Sequence, residues 1–211
     1  MGPEGGERET AEDLARGSHQ DLATAAPQAG AVAALRSIGR ALLRIPFPLS
    51  VLPVCAWAWL IWSLSSRSAV DAGDLVASLP LIGNLAHAFE FGILALFAVL
   101  LLPRRAGWPR LSAPFALTVF LVLAGCAWLD EWNQSRVPDR NASLFDVATD
   151  AVGVACVLAV IAYLGRAKAD GMGLRRRLLV ATLACVAAAA AATLYQGEYG
   201  AGPWPFPYDR P

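Results

Sequence analysis

Five apolar runs follow one another from residue 45 onward, and short polar segments separate them. The runs are Ile45–Leu64, Leu85–Leu102, Ala113–Leu129, Leu144–Leu164 and Leu178–Leu194. Each has about 17 to 21 residues, which at a rise of about 1.5 Å per residue crosses most or all of a hydrocarbon core of roughly 30 Å. The pattern predicts an all-α integral membrane protein, a bundle of about five transmembrane helices. The fifth run is mainly alanine, so it either spans or packs against the other four.

The segments before the first run have a different character. Residues 1–30 are rich in Gly, Ala, Glu and Gln and contain no apolar run, so we expect them to be disordered. Acidic residues stand where a cleavable signal peptide would need a basic start. Residues 31–44 predict a juxtamembrane helix with Arg36, Arg40 and Arg44 one turn apart. This helix either lies in the headgroup layer, drawn to anionic lipid, or serves only to set the topology.

The remaining chain divides by the same pattern. Residues 45–164 form a predicted four-helix core, residues 165–194 a basic loop and the fifth helix, and residues 195–211 a tail rich in proline and aromatic residues.

Charge then sets the orientation. The chain is 56% hydrophobic and 16% charged, with a formal net charge of zero, so nothing in the composition indicates nucleic-acid binding. Eleven basic residues lie near the membrane in residues 31–44 and in the loops after the second and fourth runs, against four on the opposite side. The positive-inside rule therefore predicts a cytoplasmic N-terminus and an external tail.

The most polar stretch between two runs is Asp130–Asp150, which holds five of the 17 acidic residues of the chain. Acidic groups at the ends of membrane helices are costly unless they face a cavity, a partner or water, so they are functional candidates. The orientation above predicts that this stretch faces the outside.

Asp130 and Glu131 precede Gln134 by four and three residues, so a continuing helix would point the three side chains in neighbouring directions. Two adjacent carboxylates could bind Mg²⁺ or Ca²⁺. The other reading is a solvated helix end.

The start of the fourth run carries two further acids. Ser143 and Asp146 fit the S-x-x-[DE] capping pattern, which would account for both residues. Asp150 lies one turn deeper on the same face and has no cap to make, so it is the better functional candidate. Arg136 and Arg140 either neutralise these acids or bind an anionic group such as a lipid-linked phosphate.

The second run contributes His87 and Glu90, three residues apart and therefore on one helical face. An imidazole and a carboxylate so placed could act as an acid–base pair, bind a metal ion, or simply hydrogen-bond to each other.

Four segments in order resemble the VanZ-like family, which is named after a teichoplanin-resistance protein. The matching segments are Trp62–Ser66, His87–Gly92, Asp130–Gln134, and Val137–Asp146 running into Asp150 and Gly153. The resemblance covers roughly Trp57–Leu164, about half of the chain. It implies a four-helix membrane core in a cell-envelope protein, with the fifth helix as an addition.

This chain departs from the family pattern at three places. Gly83 and Asn84 stand where the family often has an Asp-Lys pair, Asn133 stands where it often has His, and Asp139 stands where it often has Gly. The missing lysine weakens any role that needs a cation beside His87.

These observations leave two functional hypotheses. In the first, an external polar cluster binds an amphiphilic envelope ligand, either a lipid-linked wall precursor or a lipoglycopeptide, and contributes to teichoplanin resistance. In the second, the chain is an intramembrane hydrolase or transferase acting on a lipid-linked phosphate through a divalent metal ion. Membrane lipids are the other expected partners. The candidate cluster comprises His87, Glu90, Asp130, Glu131, Gln134, Arg140, Asp146 and Asp150.

Overall fold

The computed structural model describes residues 30–68, 79–138, 140–199 and 204–205. Within them the chain is almost entirely helical. The helices are α1 (30–42), α2 (Phe47–Ser65), α3 (Pro80–Ala98), α4 (Ala113–Gln134), α5 (Leu144–Leu164) and α6 (Gly171–Tyr199). The expectation of disorder for residues 1–29, and most of the predicted tail, lie outside the described residues.

The connection between α3 and α4 carries the remaining regular structure. A 3-10 turn, Val99–Leu101, continues α3. Two short strands follow, Arg104–Arg105 and Trp108–Pro109, and they pair antiparallel with Arg105 opposite Trp108.

Helices α2 to α6 are each long and apolar enough to cross a membrane, which confirms the predicted all-α membrane protein with five spans. Three of the helices, α3, α4 and α6, extend by several residues beyond one or both ends of their apolar runs, whereas α5 matches its run. Helix α3 begins at Pro80 instead of Leu85, and α4 continues to Gln134 instead of ending at Leu129. A helix ends where its backbone hydrogen bonds end, and polar residues remain helical when their side chains find partners inside the bundle.

Helices α3 and α5 form the centre of the bundle and pack along each other most extensively. Helix α6 covers one side of this pair, and α2 and α4 cover the other. The apolar core between α2, α3, α4 and α5 includes the buried residues Phe91, Leu123 and Val154. The chain therefore encloses a helix pair, α3 and α5, between other membrane helices.

Gly153 allows the closest approach of α3 and α5. A Cβ atom at this position would collide with the backbone carbonyl oxygen of Ala88. Small residues serve this purpose at membrane helix contacts, because they let two backbones approach. The contact also sets the distance between His87 and Asp150, which lie one and three residues from it in the sequence.

Replacing Gly153 with alanine should therefore separate α3 from α5 and lower the free energy of unfolding by about 2 kcal/mol. Gly125→Ala is the matched control, because Gly125 lies in α4 with nothing within 4 Å of an added Cβ. That substitution should leave stability unchanged or slightly higher. Thermal unfolding of both variants in detergent checks the difference, and equal stability would contradict the close-packing role of Gly153.

Helix α1 is attached to the bundle at the end opposite the polar stretch. Val32 is buried against Tyr163 and Leu164. Arg36 donates hydrogen bonds to the backbone carbonyl oxygens of Leu164, at 2.9 Å, and of Arg166. These carbonyls lie at the C-terminus of α5, where helix carbonyl groups lack partners in their own helix. The predicted juxtamembrane helix thus also caps α5.

Candidate functional site

Five ionisable side chains meet at the end of the bundle where α4 ends and α5 begins. This acidic centre consists of His87 from α3, Asp130 and Glu131 from α4, and Asp146 and Asp150 from α5. The four carboxylic residues are at most 4% exposed, whereas the His87 side chain keeps 16% exposure. The carboxylates are thus shielded from solvent, and His87 is the most exposed member of the centre.

Gln134 joins the two acids of α4. Its Nε2 atom donates to Asp130 Oδ2 at 3.0 Å and to Glu131 Oε1 at 3.1 Å. The three side chains point in neighbouring directions, as their spacing predicts. They do not form a solvated helix end, because Glu131 is fully buried and Gln134 is 5% exposed.

The start of α5 forms only half of the expected capping box. Ser143 Oγ accepts a hydrogen bond from the Phe145 amide at 3.1 Å. The Ser143 amide in turn donates to Glu131 Oε2, at 2.8 Å, and not to Asp146. Asp146 Oδ2 instead accepts from Gln196 Nε2 of α6 at 3.3 Å. Capping therefore explains Ser143 but not Asp146, because the acid of a neighbouring helix has taken its place.

His87 faces the acids of the neighbouring helices. Its Nδ1 atom lies 3.4 Å from Asp150 Oδ1 and 3.9 Å from Glu131 Oε1. Glu90, expected on the same face, is half-buried. The backbone carbonyl of Glu90 accepts a hydrogen bond from Trp57 Nε1 at 2.9 Å, which ties α2 to α3. In the described part of the chain, the ion-pair partners of His87 come from α4 and α5 and not from its own helix.

The two arginines of the polar stretch are engaged elsewhere. Arg140 donates to the backbone carbonyl oxygens of Arg67, at 3.0 Å, and Leu64, at 3.3 Å, and so caps the C-terminus of α2. The Arg136 guanidinium lies 3.5 Å from the centroid of the Trp132 ring. Among the residues that the structure describes, neither arginine pairs with a carboxylate of the acidic centre.

Three polar residues that the sequence analysis did not select close the centre from the side of α6. Asn84 of α3 donates to Thr193 Oγ1 at 2.9 Å and to Gln196 Oε1 at 3.2 Å. Gln196 in turn holds Asp146. The sequence does carry a signal for two of these residues. Thr193 and Gln196 lie three residues apart at the end of the alanine-rich run and therefore share one face of that helix.

Several oxygen atoms of the centre have no hydrogen bond. Asp146 Oδ1 and both carboxylate oxygens of Asp150 are buried and accept no hydrogen bond from a described residue. Buried polar atoms in native proteins are nearly always satisfied, and within a membrane an unsatisfied group costs more. These oxygens of Asp146 and Asp150 are therefore free to bind a ligand, and Asp150 Oδ1 lies 3.4 Å from His87 Nδ1.

Comparison with known proteins adds one match. The model of the VanZ/LLP1 family matches residues 42–165, more than half of the chain. This stretch contains α2 to α5 and the whole acidic centre, while α6 with Gln196 follows it. No curated protein and no solved structure matches the chain.

Proposed function

This chain belongs to the VanZ/LLP1 family, and on that premise we propose that it lowers susceptibility to lipoglycopeptides such as teichoplanin by binding their acyl chain between its membrane helices. The arginines near α1 and in the loops after α3 and α5 indicate a cytoplasmic side. The acidic centre then faces outward, where such a ligand would arrive.

An apolar groove of about 740 Å³ carries this proposal. Helices α1, α3, α5 and α6 form most of its walls, and its lining is almost wholly apolar, with Phe89 and Trp108 beside the aliphatic side chains. On α3 and the 3-10 turn that continues it, the lining residues run from Leu85 to Leu100, a length of roughly 22 Å at about 1.5 Å per residue. A groove of this shape suits one extended hydrocarbon chain, since apolar pockets bind mainly through buried apolar surface.

One end of the groove lies near the acidic centre, whose own five side chains are not among the lining residues. Leu85 and Ala88 line it and flank His87 in the sequence, and Gly153 lines it one turn after Asp150. An acyl chain bound in the groove would bring the polar head group of the same ligand to the His87 side chain, the most exposed member of the centre. The nearby carboxylates complement an amino group on that head, which favours a lipoglycopeptide over a lipid phosphate.

Blocking the groove tests the proposal. Ala181 lines the groove, whereas its neighbour Val180 is 58% exposed and lies outside the lining. In a sensitive Gram-positive host, wild type and Val180→Phe should raise the inhibitory concentration of teichoplanin, and Ala181→Phe should not, because the added ring occupies the chain's path. Membrane levels of the proteins must be equal.

Two further measurements separate the contribution of the acyl chain from that of the polar head group. Protection should be absent against a glycopeptide without an acyl chain, and it should fall in the double variant Asp130→Asn/Asp150→Asn. Equal protection against both antibiotics, or full protection by Ala181→Phe, would refute the proposal. If the purified protein binds a lipid-linked wall precursor and not a lipoglycopeptide, the wall precursor is the ligand.

The second candidate function is hydrolysis or transfer at a lipid-linked phosphate. The free oxygens of Asp146 and Asp150 favour it, since a carboxylate-bound divalent ion can activate water for such chemistry. Purified protein should then release phosphate from a lipid-linked phosphate in the presence of divalent ions. No release with any ion tested would exclude this candidate.

A further inference from the structure

We propose that the acidic centre is a binding site for a divalent transition-metal ion, Mn²⁺ or Zn²⁺, with His87, Glu131 and Asp146 as its protein ligands. The inference depends on neither candidate function, because an ion at this place would bind whether or not the groove is filled.

The geometry of the three side chains fits one ion. His87, Glu131 and Asp146 each offer one ligand atom, and these atoms all lie within 4.8 Å of one another. Tetrahedral ligands of one ion, with bonds of about 2.0 to 2.2 Å, lie about 3.3 to 3.6 Å apart. Side-chain rotations that bring the three ligand atoms up to roughly 1.5 Å closer together would therefore complete the site.

The free atoms of the centre are an independent indication of a ligand. Asp146 Oδ1 and both oxygens of Asp150 are buried without a hydrogen bond from a described residue, and Asp150 is 0% exposed. Asp150 Oδ1 lies 3.4 Å from His87 Nδ1, so these atoms point into the same space. Asp150 is thus placed to orient His87 or to become a fourth ligand.

The opposite oxygens are fixed in the manner of a metal site. Glu131 Oε2 accepts from the Ser143 amide, and Asp146 Oδ2 accepts from Gln196. Gln134 additionally donates to Glu131 Oε1. Outer-shell hydrogen bonds of this kind hold carboxylate ligands in position and are a regular part of protein metal sites.

Charge favours an ion as well. In the described part of the chain, no arginine or lysine forms an ion pair with the carboxylates of the centre, and His87 is their basic partner. Carboxylates removed from water need charges of opposite sign nearby. A doubly charged cation supplies them.

The ligand types select the ion. An imidazole nitrogen suits Zn²⁺ and other transition metals, whereas Mg²⁺ and Ca²⁺ take oxygen ligands. The sequence alone suggested Mg²⁺ or Ca²⁺ on Asp130 and Glu131. The inferred site instead uses His87 and Asp146 with Glu131, because the ligand atoms of these three residues lie within 4.8 Å of one another.

Metal binding by the purified full chain tests the inference without any organic ligand. After chelator treatment, the wild type should bind close to one Mn²⁺ or Zn²⁺ per chain in a calorimetric titration, and Mg²⁺ should compete poorly. Glu131→Gln and Asp146→Asn should each weaken binding by more than about tenfold, since even outer-shell changes cost 10- to 100-fold. Glu198→Gln is the matched control, because Glu198 is exposed on α6, and it should bind as the wild type does.

A spectroscopic variant covers the case in which a carboxylate variant fails to fold. His87→Cys exchanges one ligand for a thiolate, and its Co²⁺ complex should show a sulfur-to-metal charge-transfer band that the wild type lacks. The four natural cysteines belong to none of the ligand positions. No ion bound to the wild type, unchanged affinity in Glu131→Gln and Asp146→Asn, or a folded His87→Cys variant without the band would each overturn the proposal.

Discussion

Replacing His87 with leucine is expected to lower the free energy of unfolding by at least about 3 kcal/mol. The substitution removes the basic partner from Asp150 and Glu131, which are both fully buried. A buried charge that loses its partner typically destabilises a protein by about 3 to 5 kcal/mol, because water cannot replace the lost interaction. Unfolding in detergent with a chelator present isolates this effect from that of any bound ion.

A double-mutant cycle with Asp150→Asn identifies the cause. If the His87–Asp150 pair carries the effect, the combined variant should be less destabilised than the sum of the two single variants by more than about 1 kcal/mol. Strictly additive losses would mean that leucine acts through packing alone, and they would contradict the ion pair as the stabilising contact.

Glu131→Ala should open the first turn of α5, whereas Glu131→Gln should keep it closed. The Glu131 carboxylate accepts a hydrogen bond from the Ser143 amide, with 2.8 Å between the nitrogen and Oε2. Alanine leaves this buried amide without an acceptor, and a hydrogen bond to a charged group contributes about 1.5 to 3 kcal/mol. The side-chain oxygen of glutamine can still accept the bond.

Hydrogen exchange of the amides at residues 143–146 measures this opening. Exchange should be at least about tenfold faster in Glu131→Ala than in the wild type, since about 1.4 kcal/mol corresponds to a factor of ten. Glu131→Gln should stay close to the wild type, although it loses metal affinity in the proposed site. Equal exchange in both variants would contradict the cap and would assign the role of Glu131 to its charge alone.

The acidic centre shows how far helical periodicity reaches. The spacing of Asp130, Glu131 and Gln134 places them on neighbouring directions of one helix, and their hydrogen bonds follow that prediction. The same rule places His87 and Glu90 on one face of α3, but the ion-pair partners of His87 are Glu131 and Asp150, which belong to other helices. Periodicity identifies which side chains of one helix share a face but not which helix that face meets.

The capping signal had the same limit. Ser143 caps α5 as its sequence context predicts. The Ser143 amide donates instead to Glu131, which precedes Ser143 by twelve residues, and not to Asp146. A local motif cannot account for an acceptor supplied by another helix.

The sequence by itself determined the membrane class, the number of spans and the polar stretch that contains most of the acidic centre. These properties depend on segment length and on the cost of placing polar groups in hydrocarbon, which are local quantities. Only the tertiary structure decided that His87 meets Asp150, that α6 closes the centre through Gln196, and that Arg140 turns to the end of α2. These contacts depend on how closely the helices approach. That distance is set by packing at positions such as Gly153, where an added Cβ would collide with α3.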